Sequence, residues 1–161
     1  MITAVLLAAA AALAPLPQRA CAAGPLRPCA PAPLAAVQMD SLLVAAQRAA
    51  RAWRRHDFAA LFTAEGEVRL QLPGSEPTGP LGAAQAAELL RAFAGGATEE
   101  SAEVAVVRRV DPDRAYVEVE RRFTVRGTSA WRSQTVYLGM RLEGSSYRVV
   151  EIRVVPQATL H

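Results

Sequence analysis

From about position 102 onward, apolar and polar residues alternate with a period of two, the spacing of a strand with one buried face. Val104–Val110, Ala115–Val125, Gln134–Leu142 and Tyr147–Val155 read as four strands. Asp111-Pro112-Asp113, Gly127-Thr128-Ser129 and Glu143-Gly144-Ser145 join them, and turns this short predict an antiparallel meander. Earlier in the chain the period is helical. Leu42, Ala45, Ala46, Ala49 and Trp53 share one side of a helix capped at Asp40 or Ser41, with Arg48, Arg51 and Arg55 largely on the other. Asp57 stands where a cap opens a second, short helix with Phe58, Leu61 and Phe62. Val68, Leu70 and Leu72 alternate with Glu67, Arg69 and Gln71 as a strand that Pro73-Gly74 ends. A third helix runs from about Leu81 to Phe93 and stops at Gly95-Gly96. The expected class is α+β: a curved antiparallel sheet whose one face is buried by three N-terminal helices.

The first forty residues follow neither period. Ile2–Leu16 is an uncharged apolar run, long enough for the core of a secretory signal and short for a membrane span. Ala20 and Ala22 give the small-x-small pattern of a cleavage site, so residues 1–22 are expected to be removed, although no basic residue precedes the run. The alternative reading is a lipoprotein acylated at Cys21. Prolines recur among alanines through residue 33, so 23–38 read as a semi-rigid tether and 39–157 as the folded domain. An extracytoplasmic product, periplasmic or secreted, is the expected outcome, with no stable membrane span once the signal is gone.

Composition narrows the function classes. The 161 residues suit one domain, and an apolar fraction of 52% suffices for a core, though alanine inflates it. Every basic residue is arginine, the net charge is only +3, and the arginines are interleaved with glutamates. A nucleic-acid partner would require them gathered on one face, so none is expected. Cys21 and Cys29 lie eight apart with no histidine near, which is not a metal site, and cleavage after Ala22 leaves Cys29 unpaired. No cofactor is implied.

The landmarks resemble the nuclear transport factor 2-like superfamily, which includes SnoaL-like proteins and ketosteroid isomerases. The carrying residues are Trp53-Arg54-Arg55-His56-Asp57-Phe58, then Leu61-Phe62, a strand ending in Pro73, and Gly79 before the third helix. Ala84–Phe93 and Tyr147–Val154 are similar to elements of an uncharacterised bacterial group, the domain of unknown function 4783 family. The resemblance spans about residues 40–156. It implies a cone-shaped cavity between helices and sheet, which different members use for catalysis, for binding or for neither.

Strand parity tests for chemistry inside such a cavity. Ala115, Val117, Val119, Arg121, Phe123 and Val125 share a face, as do Gln134, Val136, Leu138, Met140 and Leu142, and Val150, Ile152 and Val154. No Asp or Glu falls on these apolar sides, and Tyr116, Tyr137 and Tyr147 fall on the outer parity. An isomerase of the ketosteroid type needs an inward carboxylate base and donors for the oxyanion, so no catalytic residue is assigned. Arg121 is the single inward charge, with Glu65, Glu67 and Glu88 as its possible internal partners. Arg121, Gln134, Trp53 and Met140 are the candidates for a pocket lining. His56 beside Asp57 invites an acid–base reading, which the capping role of Asp57 displaces. The outer face alternates Glu and Arg, which predicts a monomer or weak dimer. The leading expectation is a non-enzymatic domain that binds a small molecule or a cell-envelope protein in or beside the cavity. The alternatives are an isomerase or hydratase using the same cavity, and a purely structural module.

Overall fold

A computed structural model describes residues 34–63 and 65–156. The expected signal segment, Cys21, Cys29, most of the expected tether and His161 lie outside these residues. Helix α1 spans Leu34–Arg54, and a single 3-10 turn follows at Phe58–Leu61. Strand β1 is Glu67–Gln71, the two-residue β2 is Leu81–Gly82, and helix α2 is Ala83–Ala94. Four long strands complete the chain: β3 Ala97–Arg109, β4 Arg114–Val125, β5 Trp131–Glu143 and β6 Ser146–Pro156. No helix among the described residues is long and apolar enough to cross a membrane.

The six strands form one sheet in the order β2-β1-β6-β5-β4-β3. The meander from β3 to β6 is antiparallel as expected, but β1 joins β6 in parallel, so the sheet is mixed. A parallel neighbour needs a long crossover, and the chain from α2 through β5 supplies it. Helix α1 crosses β3, β4 and β6 on one face, while α2 covers β1 and β2 beside the 3-10 turn. The core lies between these layers. Leu42, Ala46, Ala49 and Trp53 from α1 meet Val117, Val119, Val136, Leu138 and Ile152 from the sheet, all buried. Each fully buried Leu, Val or Phe there contributes roughly 1.5–3 kcal/mol.

Several local expectations are corrected. The first helix begins at Leu34, so Asp40 and Ser41 sit inside it rather than capping it, and it takes in the end of the supposed tether. Leu34-Ala35-Ala36 are strong helix formers placed directly after Pro33, which explains the earlier start. The Ser41 hydroxyl donates instead to the Gln38 carbonyl at 3.0 Å. Asp57 precedes the 3-10 turn but makes no side-chain cap bond; its carbonyl accepts from the Ala60 amide at 3.1 Å. Leu81 and Gly82, read as helix, form the short strand β2 against Val68 and Glu67.

Two strands depart from simple alternation. Strand β6 shifts register between Gly139 and Met140 of its partner, so Val149 rather than Val150 faces the core and Tyr147 turns inward with it. A bulge gives one strand an extra residue and reverses its parity on one side. Strand β3 starts at Ala97, well before Val104, and carries two such shifts, at Glu99/Ser101 and Val104/Val106. Its inward set therefore reads Glu99, Ala102, Val104 and Val107, opposite Phe123, Arg121, Val119 and Val117.

The β5–β6 bulge rests on a glycine. A Cβ on Gly139 would stand 2.9 Å from the Glu151 Cβ, with the Tyr116 ring at 3.6 Å. Gly139→Ala is expected to destabilise by about 1–3 kcal/mol, the range for overfilling a close contact. A lower urea midpoint with an unchanged m-value would show it, and an unchanged midpoint would mean the sheet yields freely there.

Candidate functional site

Arg121 lies on β4 with its inward apolar neighbours, where parity places it, and its side chain is 1% exposed. A guanidinium keeps its proton under protein conditions, so burying it requires acceptors rather than neutralisation. Burial pushes its pKa below the ordinary value, and the charge and hydrogen bonds of Glu99 oppose that push. The carboxylate of Glu99 is equally buried, at 1%.

The pair is bidentate. Arg121 Nε donates to Glu99 Oε2 at 3.2 Å and Nη2 donates to Glu99 Oε1, the fork-to-fork geometry of a strong charge-assisted contact. The remaining terminal nitrogen, Nη1, donates to Gln134 Oε1 on β5 at 3.2 Å. Aromatic rings close around the cation: Phe123 at 4.0 Å, Trp53 at 5.5 Å and Phe93 at 5.8 Å from ring centroid to guanidinium carbon. Two strands hold the pair in register, since Gln134 is directly opposite Arg121 and Glu99 is opposite Phe123.

His56 completes the cluster through an unusual backbone. The His56 amide donates to the Trp53 carbonyl and the Asp57 amide to the Ala52 carbonyl, both at 2.9 Å, which is the Schellman ending of a helix. That ending needs a left-handed residue, normally glycine, and here His56 occupies it with φ 55°. The conformation turns the imidazole inward, where it stacks on Phe58 at 5.6 Å and brings Nε2 to 3.4 Å from Glu99 Oε1.

Of the sequence candidates, the fold brings Arg121, Gln134 and Trp53 together and leaves Met140 apart. Glu65, Glu67 and Glu88, the expected partners, are not used: Glu88 pairs with Arg91 on the surface of α2, while Glu65 and Glu67 line the far side of the sheet. Glu99 was missed, and the expectation of no inward acid is overturned. Its segment, Ala97–Glu103, lacks apolar alternation, and the following bulge hides its parity. Among the described residues no three His, Cys, Asp or Glu side chains gather as a metal site.

Two hollows lie away from the pair, and neither is lined by Arg121, Glu99 or Gln134. One, of about 280 Å³, sits between α1, the 3-10 turn and the β5–β6 hairpin; Met140 and Val149 floor it, and Arg48 and Arg148 stand at its edge. Tyr147 also lines it, and its hydroxyl is buried with no protein partner. The other, of about 670 Å³, lies over Gly139 on the helix-free face, with Tyr116, Arg69, Arg141 and Glu151 around it.

Arg121→Leu is expected to cost about 3–5 kcal/mol, because it strands the Glu99 carboxylate in the interior. Adding Glu99→Leu should recover most of that loss, since replacing both charges removes the stranded one. Urea unfolding of the two single variants and the double variant measures the coupling. Additive losses would mean that the two side chains do not act as a pair.

No protein-family model matches the chain, and no curated protein matches it. Solved structures do. A ketosteroid isomerase-like protein from Erwinia carotovora atroseptica is 18% identical with a TM-score of 0.60, over 75% of this chain and 97% of that one. A domain of unknown function 4783 family protein from Bacteroides uniformis is 16% identical with a TM-score of 0.57, over 70% and 96%. An NTF2-like protein with a cystatin-like fold from Novosphingobium aromaticivorans is 16% identical with a TM-score of 0.52, over 76% and 83%. The similarity is one of fold, and the chain has the α+β architecture of the nuclear transport factor 2-like, cystatin-like proteins.

Proposed function

We propose that this chain is a non-enzymatic extracytoplasmic binding domain whose ligand, a small amphipathic anion, sits beside the cone interior rather than in it. The observation that carries this reading is the occupancy of the buried carboxylate. Both oxygens of Glu99 receive hydrogen bonds from Arg121, and His56 stands against one of them. A general base must offer a lone pair to substrate, and an oxyanion site must offer a free donor. Glu99 and Arg121 offer these to each other. The same contacts count against an isomerase or hydratase that would use these two groups.

The hollow between α1 and the β5–β6 hairpin has the make-up of a ligand site: an apolar floor with a few polar groups at its edge. Its volume of about 280 Å³ holds roughly nine water-sized groups, which suits a short hydrocarbon chain. Arg148 is already engaged by Glu143 at 2.8 Å and by Thr63 at 3.0 Å, whereas Arg48 enters no ion pair among the described residues. Arg48 is thus the cation available to a carboxylate.

Octanoate serves as the probe. It should bind by calorimetry, and Arg48→Glu should weaken it at least tenfold while Arg121→Leu, where folded, leaves its affinity nearly unchanged. An octanoate affinity that follows Arg121 and ignores Arg48 would return the site to the interior. The location is tested separately by N-terminal sequencing of the exported product, expected to begin at Ala23. A cytosolic protein that retains Met1 would overturn it. In solution the product should be a monomer or weak dimer by light scattering.

A further inference from the structure

The end of the β4–β5 hairpin differs from the rest of the surface. Arg122 to Ser133 contains three arginines, Arg122, Arg126 and Arg132, and no acidic residue. All three are exposed, and none joins an ion pair among the described residues. Elsewhere on the sheet acids stand near the bases: Glu151 lies between Arg69 and Gly139, Glu118 lies across from Tyr137, which faces Arg153, and the row Arg114, Arg141 and Arg148 is met by Glu143 on Arg148. The strand start beside the hairpin end, Ala97-Thr98, is uncharged as well, and the nearest exposed acid is Glu100, in the bulge beside Arg122.

Trp131 stands in this basic patch with 54% of its surface exposed. Its position across from Thr124 puts it on the same face as Arg122, whose guanidinium carbon is 5.9 Å from the indole centroid, while Arg132, across from Phe123, extends from the other face of the same hairpin end. The tip is held in place. The Arg126 amide donates to the Gly96 carbonyl at 2.8 Å, and the Thr128 amide and hydroxyl both donate to the Val125 carbonyl at 2.9 Å.

We infer that this hairpin end docks the domain on an anionic phospholipid surface, with Trp131 at the level of the headgroups and Arg122, Arg126 and Arg132 on their phosphates. Guanidinium forks match phosphate oxygens in geometry and charge. Indole rings favour the membrane–water interface, where the ring is partly dry and the N–H stays wet. A protein partner fits the patch less well. One exposed ring at the end of a hairpin offers little of the ~1,000 Å² that a stable protein interface needs, whereas a fluid lipid surface conforms to it. The inference stands independently of the hollow beside α1.

The test is sedimentation of the full chain with vesicles of phosphatidylglycerol and phosphatidylcholine, against vesicles of phosphatidylcholine alone, with Trp131 emission as the local readout. The apolar run Ile2–Leu16 is common to every variant, so only differences between variants are read. Binding should prefer the anionic vesicles, shift the Trp131 emission to the blue and weaken as salt rises. Arg126→Gln and Arg132→Gln should each weaken it about fivefold, the effect of one basic residue near a charged surface. Trp131→Phe, which conserves size, should abolish the blue shift, since Trp53 is buried throughout. Unchanged affinity for the anionic vesicles in the arginine variants would overturn the inference. So would comparable binding to soluble polyglutamate with the Trp131 emission unmoved, which would make the patch a docking site for an acidic protein.

Discussion

A buried guanidinium is a demand on the structure around it, because it cannot shed its charge to fit an apolar interior. Arg121 meets that demand with groups from five places: Glu99 on β3, Phe123 on β4, Gln134 on β5, Trp53 at the end of α1 and Phe93 near the end of α2. These elements must all arrive before the charge is satisfied. A pair of this kind adds little net stability over well-packed apolar residues, yet a fold that assembles it wrongly leaves two charges stranded. Its main effect is therefore to disfavour alternative registers of β3 against β4, which apolar contacts alone would penalise weakly.

The same pair ties up the buried carboxylate and the buried cation. Beside the α1 corner the carboxylate and the guanidinium are engaged with each other, and the buried indole N–H of Trp53 is left without a partner. Away from the pair lie the hollow beside α1, the groove over Gly139 and the hairpin end around Trp131. Each combines apolar surface with arginine, and each lies on a different part of the molecule. The fold is shared with ketosteroid isomerase-like and uncharacterised proteins, and on such a scaffold function is argued from sites rather than from the fold.

Much of this was legible in the sequence. The period-two runs located β4, β5 and β6 to within a few residues, and parity placed Arg121, Gln134 and Met140 correctly on the inner face. The turns at Gly127 and Gly144 were legible for a physical reason, since both adopt positive φ. Failures arose where local pattern and tertiary pairing disagree. Glu99 sits in an acidic run that reads as loop, and only the partner strand makes it β. Val149 and Tyr147 reached the core through a bulge that no composition announces. The parallel pairing of β1 with β6 joins segments far apart in the chain, so short turns could not reveal it. Asp57 looked like a cap because its residue type and position were right, but the preceding left-handed His56 had already set the corner.

The two irregularities in β3 reach beyond side-chain phasing. This strand ends the sheet, and a long open edge of unpaired amides and carbonyls invites another chain to add itself. Bulges at Glu99/Ser101 and Val104/Val106 break the even ladder such an addition needs, while Glu100, Glu103, Arg108 and Arg109 place charge along it. The opposite margin is only the two-residue β2. The distortion that delivers a carboxylate to Arg121 thereby also blunts the edge as a template, so the molecule is protected against polymerising strand by strand at high local concentration.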